Sequence, residues 1–99
     1  MKVYYVGRSY RTNAVGEYNP KTKELIVKKG SVVSENIASF KMAESVRALR
    51  KENVDRNGVL KRDLLFRSPS YAAAFVTGFS ANGLTAWRID NKTRLKDIL

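Results

Sequence analysis

The residues with the most evident chemistry in this sequence are its cations. Lysine and arginine number 19 against 9 aspartates and glutamates, so the formal net charge is +10 at pH 7. The cations occur in local pairs and singly near predicted turns, at Lys28-Lys29, Arg50-Lys51, Lys61-Arg62, Arg8, Arg67 and Arg88. Nucleic acid releases condensed counterions where cations neutralise its phosphates, so this excess favours a nucleic-acid partner over a merely solvated surface. An anionic membrane is disfavoured, because neither predicted helix joins a basic face to an exposed apolar face.

Catalytic chemistry is restricted by what the composition lacks. The sequence contains no histidine and no cysteine, which excludes disulfides, thiolate nucleophiles, cysteine-ligated metals and the commonest general base. Carboxylate pairs such as Glu44 with Glu52 and Asp55 with Asp63 match no nuclease or metal motif. We therefore expect a non-catalytic protein without cofactor or metal, and a small phosphodiester-cleaving enzyme is the least supported class.

A possible anion site lies at Ser68-Pro69-Ser70, where a helix is predicted to begin and to end at Gly78. Serine hydroxyls and free amides at a helix start bind anions, and Arg67 stands beside them. The same residues have a structural interpretation, since serine is a preferred N-cap and proline suits the first helical position.

A second polar feature is the turn that contains Ser80, Asn82 and Gly83. The Asn82 amide has the donor and acceptor pattern that pairs with adenine. Asn-Gly is also ordinary turn chemistry, because both residues tolerate positive φ. Trp87, the one tryptophan, is expected in the core rather than stacked on a base.

Five runs of β-branched and aromatic residues predict the elements that position these groups. We expect strands over residues 3–6, 11–18, 24–28, 64–66 and 85–89. Asn19-Pro20 and the polar residues after it predict a hairpin between the second and third strands. Val59-Leu60 either continues the fourth strand across a charged interruption or forms a strand of its own. The basic tail after Lys92 is strand or helix.

A first helix is predicted within residues 40–54. Apolar residues recur there at steps of three and four, at Met42, Ala43, Val46 and Leu49. Ser39 is a candidate N-cap, and Arg47 and Lys51 share the opposite face. Together these elements predict one α+β domain over residues 1–99, with a small antiparallel sheet packed against two helices.

Apolar runs in the sequence are short. The longest, such as residues 71–76, fall far below the roughly 20 residues that cross a bilayer. The first residues lack the apolar segment of a signal peptide. We expect a soluble, cytoplasmic protein.

One segment carries a distinctive pattern, FRSPSYAAAFVTGFSANGLTAW, from Phe66 to Trp87. It resembles a small bacterial domain of unknown function whose pattern reads F-x-S-P-S-x-A-A-x-x-x-x-G-x-S-x-N-G-x-x-x-W. That family is often attached to GIY-YIG nucleases and other restriction-modification proteins, and it is similar to the restriction enzyme adenine methylase associated domain. The resemblance extends loosely over residues 10–95. Leu84 departs from it, because many members have an aromatic residue directly after Asn-Gly.

The resemblance implies an accessory module, suspected of DNA binding or modified-base recognition. The matching positions are Ser68, Pro69, Ser70, Ala72, Ala73, Gly78, Ser80, Asn82, Gly83 and Trp87. No nuclease or methylase domain accompanies it here, so the module is expected to act alone, by self-association, or with a separate protein.

We therefore predict a non-catalytic nucleic-acid-binding module, with DNA as the expected partner. The cations would neutralise phosphates, the Ser68 helix start would position the backbone, and Asn82 would read a base or sugar edge. The expected binding residues are Lys28, Lys29, Arg67, Ser68, Ser70, Ser80, Asn82 and Arg88. The alternative is a protein-interaction adaptor that docks on an acidic partner, such as a nuclease or methylase subunit.

Overall fold

A computed structural model describes residues 1–7 and 12–99. Its elements in chain order are β1 (Lys2–Val6), β2 (Asn13–Tyr18), β3 (Leu25–Val27), α1 (Ala43–Asn53), β4 (Leu64–Phe66), α2 (Pro69–Thr77), α3 (Gly83–Ala86) and α4 (Leu95–Ile98). Two features of the sequence analysis lie outside the described residues: the single cation Arg8 near a predicted turn, and Arg11, the start of the second predicted strand.

The four strands form one antiparallel sheet in the order β1-β2-β3-β4. The predicted hairpin is confirmed, because Tyr18 pairs with Leu25 across the turn at Asn19-Pro20. The Asn19 side chain accepts a 2.9 Å hydrogen bond from the amide of Lys21, which stabilises the turn. Consecutive strands are therefore neighbours throughout the sheet.

The two faces of the sheet differ in burial, as the alternation of side chains along a strand requires. On the core face, Val3, Leu25 and Val27 are completely buried. Helix α2 covers this face by packing against β3 and β4. The other face, called the outer face below, exposes 69% of Val6 and 61% of Leu65.

Helix α1 packs on α2 and is shorter than the sequence predicts. Its buried residues include Ala43 and Val46, as the apolar periodicity predicts. The candidate N-cap Ser39 does not cap the helix: Met42 occupies the cap position and makes no side-chain cap hydrogen bond. The chain turns instead through a backbone bond from the amide of Ala43 to the carbonyl oxygen of Phe40, so no capping side chain starts this helix.

Helix α2 has the predicted limits. The Ser68 hydroxyl accepts a 3.1 Å hydrogen bond from the amide of Tyr71, and Pro69 is the first helical residue. Gly78 ends the helix in the left-handed region at φ 81°, where glycine has no Cβ penalty. Local capping chemistry therefore determined both ends of this helix.

The predicted strand over residues 85–89 is wrong in its first half. Residues Gly83–Ala86 form the short helix α3, whose N-cap is Asn82. The amides of Ala86 and Trp87 donate to the carbonyl oxygens of Asn82 and Gly83, so the hydrogen bonds of this turn are made within the turn itself. An alternating pattern of five residues was too short to distinguish a strand from this helical turn. Only Arg88 joins the sheet, as an isolated bridge to Tyr4.

These elements confirm the α+β class and the antiparallel sheet. The expected count of two helices on the sheet is not confirmed, because α2 lies on it, α1 packs on α2, and two short helices follow. The basic tail, which the sequence left as strand or helix, forms the helix α4.

Candidate nucleic-acid interface

The pairing of β3 with β4 brings two basic dipeptides of the sequence together. Val27 pairs with Leu64, so the residues that follow β3 lie beside the residues that precede β4. Asp63 lies between them, since its carboxylate accepts from the Lys28 ammonium at 3.1 Å and from the Lys29 amide at 2.7 Å. Lys61 and Arg62 directly precede Asp63 and are exposed. Four cations therefore belong to the two segments that meet at Asp63, and one of them, Lys28, forms an ion pair with it.

Asp63 is held in its charged form by these contacts. The hydrogen bond from the Lys29 amide, and then the hydrogen bond from the Lys28 side chain, lower the pKa of Asp63 below its ordinary value of 3.8. The Lys28–Asp63 pair remains exposed, with side-chain accessibilities of 45% and 49%. The carboxylate thus orders the cluster and leaves most of its positive charge facing solvent.

The segment that carries Lys61 and Arg62 is bonded to the end of helix α1. The amide of Lys61 donates a 2.7 Å hydrogen bond to the carbonyl oxygen of Asn53, the last residue of α1. Exposed cations also lie on this helix and on the turn after it, at Arg47, Lys51 and Arg56. We call the combined set the basic surface; it consists of Lys28, Lys29, Arg47, Lys51, Arg56, Lys61 and Arg62.

A groove of about 700 Å³ lies between α1, the segment 32–37 and the turn 54–58. Its lining includes three cations of the basic surface, Arg47, Lys51 and Arg56, together with the carboxylates of Glu35 and Asp55. Asp55 has a structural task, because its side chain accepts hydrogen bonds from the amides at positions 57 and 59. The groove is therefore a concave part of this surface in which cations outnumber carboxylates.

Arg50 lines the same groove and joins α1 to the end of α2. Its guanidinium donates to the carbonyl oxygen of Phe75 at 2.7 and 2.9 Å and to that of Ser34 at 2.8 Å. The Phe75 carbonyl belongs to the last turn of α2, where a cation also meets the negative end of the helix dipole. Burial lowers the pKa of Arg50 to about 10, so the side chain stays charged at pH 7. This cation is primarily a structural one.

The structure separates the expected binding residues into distant groups. Phe66 pairs with Leu25 at the far end of β4, so Arg67 lies about 13 Å along the strand from Asp63 and its lysines. The Ser68 helix start follows directly. The structure therefore does not join the Lys28-Lys29 cations to the Ser-Pro-Ser turn.

Both serines of that turn already hold structural hydrogen bonds. Ser68 caps α2, and the Ser70 hydroxyl accepts a 3.0 Å bond from the amide of Gly83. A Cβ at Gly83 would overlap the backbone of Pro69 and Ser70. The start of α2 is thus packed against the start of α3. The structural interpretation predicted the cap at Ser68 but not this packing.

The remaining expected residues lie on other parts of the surface. Ser80 and Asn82 are exposed, and the Asn82 side chain accepts a 3.0 Å hydrogen bond from the amide of Leu84. Arg88 is exposed beside Tyr4, with which it exchanges backbone bonds of 2.7 and 2.8 Å. Trp87 is completely buried, which confirms its predicted place in the core.

The sequence interpretation missed five residues of the basic surface as candidate binding residues: Arg47, Lys51, Arg56, Lys61 and Arg62. The sequence held a signal for Lys61 and Arg62. The pair Lys28-Lys29 follows the apolar run of the third predicted strand, and the pair Lys61-Arg62 precedes the fourth. Antiparallel pairing of those two strands places the pairs side by side. Without a register, that consequence could not be drawn.

In the described ranges no helix has the length and hydropathy of a membrane span. The same residues contain no group of three or more acidic side chains placed to hold a metal ion.

Comparison with known proteins gives one match. The model of a family described as Domain of unknown function (DUF4357) matches residues 5–99. No curated protein and no solved structure matches the chain.

Proposed function

We infer that this chain, which belongs to the DUF4357 family, binds nucleic acid through the basic surface and catalyses no reaction on it. The observation that supports this inference is the pairing of β3 with β4, which places Lys28 and Lys29 beside the segment that contains Lys61 and Arg62. The proposed partner is DNA, contacted at its phosphates, and the proposed place of action is the cytoplasm.

The chemistry of the basic surface suits a polyanion better than a single small anion. Its cations extend from the end of the sheet to helix α1 through the backbone bond between Lys61 and Asn53. Lysine and arginine contacts to phosphate supply affinity without reading sequence, and each neutralised phosphate adds to the salt dependence. Binding is therefore expected at low salt to many sequences.

The three ion pairs formed among the described residues leave most of this surface unneutralised. They join the N-terminal ammonium of Met1 to Glu17, Lys28 to Asp63 and Arg94 to Asp97. Only the second lies on the basic surface, so among the described residues no carboxylate forms an ion pair with Lys61, Arg62 or the α1 cations Arg47 and Lys51. Their charge can pair with phosphates.

The test is a fluorescence anisotropy titration of a labelled DNA duplex, repeated from about 50 mM to 200 mM salt. The variant Lys61→Gln/Arg62→Gln removes two cations of the basic surface. The matched control Lys21→Gln/Lys23→Gln removes two exposed cations from the β2–β3 turn, at the opposite end of the sheet. We expect the first variant to lower the steepness of log K against log salt by about 1.8, since each lost phosphate contact removes about 0.9. The control should change it much less.

Two results would contradict the proposal. The first is no duplex binding by the unmodified protein at the lowest salt. The second is an equal loss in both double variants, which would mean that only net charge matters. In the first case, the alternative of an adaptor on an acidic protein, such as a nuclease or methylase subunit, becomes the better explanation of the charge.

A further inference from the structure

The two edge strands of the sheet differ in their backbone pairing. The edge at β1 is covered, because Tyr4 pairs with Arg88, and Arg88 in turn pairs with Arg94. The edge at β4 is the last position in the strand order, and no described residue bonds to its outer side. An open strand edge offers unpaired backbone groups to another strand.

Hydrogen bonding within the sheet shows which groups of β3 turn toward β4. The amide of Lys28 donates to the carbonyl oxygen of Val15 on β2 at 2.8 Å. Because alternate residues of an antiparallel strand face the same neighbour, Ile26 also turns its backbone groups toward β2. Leu25 and Val27 therefore face β4.

The partners of Leu25 and Val27 on β4 are Phe66 and Leu64. These two residues use their amides and carbonyls toward β3, so Leu65 between them turns its own amide and carbonyl to the open edge. Its side chain is 61% exposed on the outer face. Leu65 thus combines an available donor, an available acceptor and an apolar side chain.

The charges that flank β4 on one chain are complementary to the same charges on a second, antiparallel copy. Asp63 and Arg67 stand two residues before and two residues after Leu65. If two copies of β4 pair antiparallel about Leu65, Asp63 of each copy lies opposite Arg67 of the other. Opposite charges at cross-strand positions stabilise a pair, whereas like charges would oppose it.

We propose that β4 pairs antiparallel with β4 of a second copy of this chain, with Leu65 on the two-fold axis, so that the two sheets become one eight-stranded sheet. The two Leu65 residues exchange their backbone bonds, and their side chains meet on the outer face. Alternation also places the Asp63 and Arg67 side chains on that face, where they pair across the axis. The contact is small and the chains repel each other, so the dimer is weak.

The experiment is sedimentation equilibrium at about 0.15 M salt, with protein concentrations up to about 1 mM. Arg67→Asp places two like-charged pairs across the axis and should reduce association at least about tenfold. The charge-swapped variant Asp63→Arg/Arg67→Asp restores the complementary pattern and should recover it. Arg88→Asp is the matched control, because it makes the same change in net charge on the outer face away from β4. It should reduce association much less than Arg67→Asp does.

A second measurement concerns the amide of Leu65 itself. Its hydrogen exchange should slow as the protein concentration rises, while the exchange of exposed amides in the β2–β3 turn stays constant. A mass that remains that of one chain at all concentrations overturns the proposal, and so does equal weakening by Arg67→Asp and Arg88→Asp. Circular dichroism shows whether the swapped variant folds. If it does not, the comparison of Arg67→Asp with Arg88→Asp still tests whether β4 forms the contact. Failure of DNA binding leaves this result unaffected, because it uses no nucleic acid.

Discussion

The indole nitrogen of Trp87 donates a 3.0 Å hydrogen bond to the carbonyl oxygen of Pro69, and both residues are buried. This bond joins the last residue of the distinctive segment to its Ser-Pro-Ser start. The bond between Ser70 and the amide of Gly83 lies between the same two regions. Much of the distinctive segment is therefore accounted for by folding, because its bonds hold the start of α2 against α3.

The Trp87–Pro69 bond can be tested by Trp87→Phe. The change leaves a buried carbonyl without its donor and removes part of a fully buried ring, so we expect a loss of about 2 kcal/mol in the free energy of unfolding. Urea denaturation followed by circular dichroism measures it. Tyr4→Phe, at a side chain that is 37% exposed, should change stability by less than about 0.5 kcal/mol. Similar losses of stability in Trp87→Phe and Tyr4→Phe would show that the Trp87–Pro69 bond does not contribute as expected.

Gly83→Ala tests the contact between the two helix starts. The new Cβ would overlap the backbone of Pro69 and Ser70, which cannot move without displacing α2. We expect a loss of at least about 4 kcal/mol. At Gly30, with φ 91°, a Cβ would meet nothing within 4 Å, so Gly30→Ala should cost only about 1–2 kcal/mol of backbone strain. Thermal denaturation of both variants compares them, and a Gly83→Ala protein as stable as the Gly30 variant would refute the packing argument.

Arg50→Met tests the connection between α1 and α2. The carbonyl oxygens of Phe75 and Ser34 lose a charged donor, for which we expect about 3 kcal/mol of destabilisation. Arg47→Met removes an exposed cation from the same helix and should cost less than about 0.5 kcal/mol. Urea midpoints of the two variants give the comparison. If they coincide, Arg50 is not the structural cation that its hydrogen bonds indicate.

Asn82 can be assigned to capping or to base reading by two substitutions. Asn82→Ala removes the acceptor for the Leu84 amide and should cost about 1 kcal/mol, whereas Asn82→Asp keeps it and should cost little. We also expect both variants to show the same relative affinities for duplexes of different sequence as the unmodified protein in anisotropy titrations. A changed preference in Asn82→Asp at unchanged stability would return Asn82 to the binding surface.

Stability should fall in acid through Asp63. Its pKa is lower in the folded chain than the ordinary value of 3.8, first because of the Lys29 amide and then because of the Lys28 side chain. Between these two pKa values the unfolded chain binds more protons, so stability decreases as the pH falls through the folded pKa. Asp63→Asn should flatten the decline of the urea midpoint between pH 7 and pH 3. Lys28→Gln should flatten it less, because the larger contribution from the Lys29 amide remains; a larger effect of Lys28→Gln would contradict this order.

The parts of the fold that were predicted correctly have local causes. Ser68, Pro69 and Gly78 specify the ends of α2 by capping and by backbone preference, and Asn19-Pro20 specifies a turn. The prediction failed where the local pattern was short or misleading. Residues 85–89 alternate like a strand, yet Asn82 caps a helical turn there, and Ser39 has the right type for a cap but the helix begins later.

The candidate site was less predictable than the fold. Asn82, Ser68 and Ser70 have side chains that can bind nucleic acid, but the same atoms also complete helix ends, and only the contacts show that they do so. Lys61 and Arg62 stood out in the sequence as one more basic pair. Their place beside Lys28 and Lys29 depends on the register of β3 with β4.

By itself the amino-acid sequence established a large positive charge, the lack of histidine and cysteine chemistry, the α+β class and the limits of α2. These properties depend on composition or on a few neighbouring residues. The tertiary structure decided which cations share a surface, that the Ser-Pro-Ser turn packs against Gly83, and which strand edge stays open. Each of these depends on contacts between residues far apart in the chain, and such contacts are set by strand register and helix packing, which short-range patterns do not specify.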